Sequence, residues 1–147
     1  MNNIKRITAL VMAMLMGILM FSGLTNVKAA QTAHVSISSA SANVGDEVTI
    51  TITASSDVKI ELCDIWIDYD ASILQYVNGF NTEGGGTGRL LSSDETSFKV
   101  VFKAINPGTA TISVNKSTSY TGSADEDFMS LTTSSGTVTV KAPASYS

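Results

Sequence analysis

Asp64, Asp68 and Asp70 are the acids whose type and spacing could do chemistry. They lie in the run Ile60 to Val77, which reads Ile-Glu-Leu-Cys-Asp-Ile-Trp-Ile-Asp-Tyr-Asp-Ala-Ser-Ile-Leu-Gln-Tyr-Val. On an extended chain residues two apart share a face at about 7 Å, a separation compatible with a pair of glycosidase acids. A glycosidase also encloses its sugar in a cleft, and one face of a small sheet offers little cleft. A solvated acidic face is therefore the preferred reading. Asp125-Glu126-Asp127 is a weak calcium candidate, because calcium gathers several oxygen ligands, but the spacing is not that of an EF-hand loop. Cys63 is the only cysteine and His34 the only histidine. No internal disulfide can form, and Cys63 reads as a small core residue rather than a nucleophile. The glycines at 79, 84, 85, 86 and 88 do not make a phosphate loop, since no Lys-Ser/Thr pair and no helix follow them. They read as a flexible surface loop.

These residues are carried by an alternating segment. Cys63, Ile65, Ile67 and Tyr69 point one way, with Glu61 at the start of the same face. Leu62, Asp64, Trp66, Asp68 and Asp70 point the other way. The pattern is that of a half-buried strand in a two-layer β protein. After a turn at Asp70, the residues Ile73, Leu74, Tyr76 and Val77 are expected to pack back on the same core. An outward tryptophan beside acids is a platform for a sugar ring or a partner side chain. The sequence fits equally well with Trp66 covered by a loop or by Tyr76.

Further strands read from alternation at His34–Ser38, Val48–Thr53, Ser97–Lys103, Ala110–Val114 and around Val138 and Val140. Ser39 to Asn43 reads as a connection, and Asn106-Pro107-Gly108 as a turn. Ser117 to Met129 is polar apart from Tyr120 and Phe128. No segment of the mature chain has helical periodicity. The expected core is Val48, Ile50, Ile52, Cys63, Ile65, Ile67, Phe98, Val100, Phe102, Ile112, Val114 and Val138. The fold class is an all-β single sandwich of roughly seven to nine strands.

The chain has 147 residues. Lys5 and Arg6, an apolar run from Ile7 to Leu24, and Val27 and Ala29 at the −3 and −1 positions form a secretory signal over 1–29. An uncleaved anchor is the rival, since the apolar run is about long enough to span a bilayer. Cleavage after Ala29 is preferred because the small-residue site follows directly. Three of the nine basic residues lie in that leader, whereas all thirteen acids lie after it. The mature module is thus acidic, which excludes nucleic acid and anionic membrane as ordinary partners. The expected organisation is a signal at 1–29, a sandwich at 33–141, and a tail or linker start at 142–147.

Tyr69-Asp70, a short turn and the apolar pair Ile73-Leu74 resemble the signature of cohesin domains. Val44-Gly45-Asp46-Glu47-Val48 before a Thr/Ile strand, and Asn106-Pro107-Gly108-Thr109 before another, resemble the same family in order and spacing. The resemblance covers about Val35 to Val140. It implies a jelly roll that docks a dockerin-like protein module. Residues placed like Asp64 are among dockerin contacts, and Leu62 stands where a polar residue is often found. The family's fold is shared with carbohydrate-binding modules, so a polysaccharide is the alternative ligand and a structural spacer the third reading. The expected partner-binding residues are Leu62, Asp64, Trp66 and Asp68, in a secreted, monomeric, non-catalytic module without a cofactor.

Overall fold

The computed structural model describes residues 30–143. The expected leader (1–29) and positions 144–147 of the expected tail lie outside the described residues.

Twelve strands follow one another without a helix among the described residues. They are β1 (Thr32–Ile37), β2 (Ala40–Asn43), β3 (Glu47–Ser56), β4 (Leu62–Asp68), β5 (Leu74–Asn78) and β6 (Thr82–Gly84). Then come β7 (Thr87–Ser92), β8 (Ser97–Ala104), β9 (Gly108–Val114), β10 (Tyr120–Gly122), β11 (Ser130–Ser134) and β12 (Gly136–Lys141). One sheet has the order β11-β1-β3-β8-β5. The other has the order β2-β12-β9-β4-β7-β6, with β10 also paired to β4. The two sheets form a sandwich, and their alternating inner residues meet between them. Nine of the strands have five or more residues, while β2, β6 and β10 are shorter.

The first and last parts of the chain each divide between the sheets. β1 pairs in parallel with β11, and β2 pairs in parallel with β12. The chain changes sheet at Ser38-Ser39 and again at Ser135-Gly136, and the two corners touch. A Cβ on Gly136 would come within 2.2 Å of the Ser38 carbonyl oxygen, so only glycine lets them close. Ser39–Asn43, expected as a connection, is therefore largely the edge strand β2. Its small residues gave no hydrophobic signal, and its pairing is set by β12, far away in sequence.

The expected core is present with one correction. All of the named residues are buried except Val114, which is half-buried as the last residue of β9. Leu74 and Leu90 join them at the centre. The Asp70 turn brings Leu74 there. The Asp70 carboxylate accepts hydrogen bonds from the hydroxyl and the backbone N–H of Ser72, and these hold its pKa below the usual range. The Asp70 carbonyl accepts from Ile73 and Leu74 N–H. The chain thus crosses from β4 in one sheet to β5 in the other. Val77, expected inward, is 39% exposed beside an irregularity in β5 between Tyr76 and Asn78. Glu61, expected on the inner face, is exposed just before β4 begins.

The glycine run is not a loose loop. Gly85 and Gly86 take φ of +63° and +85° and form a tight turn between β6 and β7. Both angles lie in the region that costs residues with a Cβ, so the Gly-Gly pair makes the hairpin.

Two stability outcomes follow. Ile65→Ala removes a side chain buried at the sandwich centre and is expected to lower stability by roughly 2–5 kcal/mol, read from urea unfolding. Thr121 is fully buried opposite Cys63, and its hydroxyl has no hydrogen-bond partner among the described residues. Thr121→Val keeps the shape without the unpaired group, so it is expected to raise stability by about 1 kcal/mol in the same assay.

Candidate functional site

β4 is hydrogen-bonded on both edges, to β7 on one side and to β9 and β10 on the other. Its inner residues Cys63, Ile65 and Ile67 are fully buried. Its outer residues are Leu62, Asp64, Trp66 and Asp68, as the alternation predicts. They share one face, and none of them stands fully open: Leu62, Trp66 and Asp68 are half-buried, and Asp64 is only 4% exposed.

The cover over Asp64 and Trp66 comes from Arg89 on β7. Trp66 lies directly opposite Arg89, and Asp64 lies diagonally from it. The guanidinium donates from Nε to Asp64 Oδ1 at 2.9 Å and from Nη2 to Oδ2 at 2.7 Å. Its Cζ lies 5.2 Å from the Trp66 ring centroid. One cation therefore neutralises the buried carboxylate and caps the indole. Donating to Asp64 also raises the Arg89 pKa. Asp68 Oδ1 accepts from the Thr87 hydroxyl at 3.0 Å. Only Asp70 of the three aspartates is exposed, and it is used in its own turn.

The solvated acidic face expected from the sequence is thus corrected. Asp64 sits in a buried ion pair, and Asp68 is half-buried with one oxygen held by the Thr87 hydroxyl. Tyr76 does not cover Trp66 either; it packs in the other sheet against Phe80 and Phe102, with ring centroids 5.3 and 6.5 Å away. Cys63 is buried, and burial pushes its thiol pKa up to about 11, which leaves it inert near neutral pH. His34 lies on β1, where its ring nitrogens contact the hydroxyls of Thr132 at 2.7 Å and Ser134 at 2.9 Å.

The calcium candidate does not form a cage of side chains. Among the described residues, no three of His, Cys, Asp and Glu gather to hold an ion. The Glu126 carboxylate instead accepts from the Gln31 N–H at 3.1 and 3.2 Å. A larger cleft of about 670 Å³ lies by the β6–β7 turn, lined by Tyr69, Tyr76 and Glu83 among others. There the Tyr69 hydroxyl donates to Glu83, and burial, followed by that bond, raises its pKa.

Arg89, Leu91, Tyr120 and Phe128 belong to this region and were not among the partner-binding residues expected from the sequence. Leu91 is 40% exposed and pairs with Asp64 from the β7 side, while Tyr120 pairs with Asp64 from the β10 side. A signal for Arg89 was present. Gly-Gly followed by alternation at Thr87, Arg89 and Leu91 is a hairpin and strand signature.

The chain belongs to the cohesin family: the family model described as "Cohesin domain" matches residues 33–140. Among curated proteins no match is found. Solved structures similar to it include the cohesin CaCohA2 from Clostridium acetobutylicum, in a solution structure. That match has 19% identity and a TM-score of 0.64 over 76% of this chain and 92% of that one. Another is the sixth cohesin of scaffoldin B from Acetivibrio cellulolyticus, solved in complex with a mutant dockerin. It has 18% identity and a TM-score of 0.64, covering 75% of this chain and 99% of that one. A non-cellulosomal cohesin from the archaeon Archaeoglobus fulgidus matches at 13% identity and a TM-score of 0.64, covering 75% and 91%. At these identities the likeness shows the fold.

The ion pair yields its own outcome. Arg89→Met leaves a carboxylate buried without its counter-charge, so it is expected to lower the urea midpoint clearly. Asp64→Asn combined with Arg89→Met is expected to be less damaging than Arg89→Met alone. Equal effects of Asp64→Asn with Arg89 present and with Arg89→Met would show that the pair is not coupled.

Proposed function

We propose that this chain is a secreted, non-catalytic binding module that docks a dockerin-type protein partner on the outer face of the β4 sheet. Leu62, Asp64, Trp66 and Asp68 form the centre of that face. The carrying observation is the half-open Trp66 held beneath the Arg89 cation. A tryptophan with an arginine at the middle of a sheet, with exposed Leu91 nearby, has the composition of an interface anchor. Asp64 acts through Arg89, fixing the guanidinium against the indole before a partner arrives. Membership of the cohesin family and a similar cohesin solved with a dockerin support the same reading. The signal-like segment 1–29 supports secretion and placement in an extracellular or cell-surface complex.

The ring capped by Arg89 favours a protein over a polysaccharide, because a stacked sugar needs that open aromatic face. Trp66→Ala is expected to weaken docking by about 2 kcal/mol or more. The measurement is calorimetric titration against a panel of dockerin modules, with circular dichroism to check that the variant folds. Unfolding of Trp66→Ala would make the residue structural. Retention by an immobilised polysaccharide with no dockerin bound would replace the docking reading with carbohydrate binding.

A further inference from the structure

At one end of the same face Phe128 is 71% exposed, the most open of the large apolar side chains among the described residues. A loose loop does not account for this. Ser123 N–H donates to the Glu126 carbonyl at 2.7 Å, and the Ser123 hydroxyl accepts from Asp125 and Glu126 N–H at 3.3 and 3.2 Å. The Glu126 carboxylate is tied to the Gln31 backbone. On the other side of Phe128, Met129 is buried and its N–H donates to the Thr121 carbonyl at 2.8 Å. The fold thus fixes the segment on both sides of a phenyl ring that it leaves in water. That ring meets Tyr120 at 5.1 Å between centroids. Together with Leu62 they line a cleft of about 300 Å³, with Glu61 and Asp127 at its edge. Both of those acids are exposed, and Lys59 reaches Glu61 only at 3.7 Å.

We propose that this cleft is the specificity pocket of the docking face and takes a lysine or arginine side chain from the protein partner. The proposal rests on the docking reading above and adds what the partner must present. The aliphatic stem lies along Leu62, Tyr120 and Phe128, and the charged head reaches Glu61 and Asp127. Two aromatic rings add attraction for the cation. Charge complementarity selects this end of the face. At its centre the Asp64 and Arg89 charges offset one another and Asp68 is tied to the Thr87 hydroxyl, whereas Glu61 and Asp127 stand together at this end, so a partner cation is drawn most strongly there. An acidic side chain in the cleft would meet two like charges. An aliphatic one would fill the apolar part and leave both acids unpaired.

Two measurements test this. In the first, N-acetyl-argininamide, N-acetyl-lysinamide and the neutral N-acetyl-norleucinamide are titrated separately into the ¹⁵N-labelled chain. The cationic probes are expected to move the amide resonances of Tyr120, Ser123 and Phe128, and Asp127→Asn and Phe128→Ala to weaken that effect. Equal shifts with the norleucine probe, or no shifts with any probe, would overturn the proposal. So would shifts with a cello-oligosaccharide, or shifts on diluting the chain alone, which would mean a second copy fills the cleft. In the second, dockerin modules with and without lysine or arginine on their contact surface are titrated calorimetrically. Phe128→Ala is expected to cut the affinity of the basic modules by about tenfold or more. Docking that is indifferent to Phe128→Ala would overturn the pocket and leave the docking reading standing. A pocket that takes the cationic probes while no dockerin binds would support the pocket and count against a dockerin as the partner.

Discussion

The buried pairing of Asp64 with Arg89 is the interaction on which the rest of the outer face depends. Asp64 has Leu91 and Tyr120 directly beside it on the neighbouring strands and is only 4% exposed, even though it points away from the core. A carboxylate in that position is costly unless a charged, hydrogen-bonding partner meets it. Arg89 does so with two bonds in the forked geometry that suits a carboxylate. Once held, the same guanidinium has one place to lie, over the indole of Trp66. The face is thereby ordered from within, and its charge is largely settled before any partner arrives.

That order reaches the core through the β6–β7 hairpin. Arg89 stands opposite Trp66 because β7 is registered against β4, a register held by the Tyr69 N–H donating to the Gly86 carbonyl at 2.9 Å and by the burial of Leu90. A slip of one residue would put Arg89 in the core and Leu90 in water. The glycine-rich segment therefore helps to set the arrangement of the outer face of β4. The side chain of Phe80 lies against Gly88 and fills the space that a Cβ there would need.

The Phe128 end is organised differently. Its supports are backbone hydrogen bonds and the Glu126 tie to Gln31, which join a late loop to the first residues before β1. The centre of the face thus rests on a side-chain ion pair, and its end rests on main-chain geometry. Tyr120 joins the two, since it pairs with Asp64 and its ring meets Phe128.

The sequence by itself determined the all-β sandwich, the inner and outer faces of β4, nearly all of the core and the resemblance to cohesins. These depend on period-two alternation and on local turn chemistry at Asp70, which are encoded among near neighbours. Only the tertiary structure decided that Asp64 is buried rather than solvated, because its partner Arg89 is separated from it by a turn, a strand and a hairpin. It likewise decided that β2 and β11 are strands, since their residues are small or polar except for Leu131, which alone cannot show an apolar alternation, and their pairing comes from distant β12 and β1. Phe128 was visible as an aromatic in a polar run. Its exposure became meaningful only when the bonds to Gln31 and Thr121 showed the surrounding segment to be fixed, because nothing in a linear sequence tells a held aromatic from a loose one.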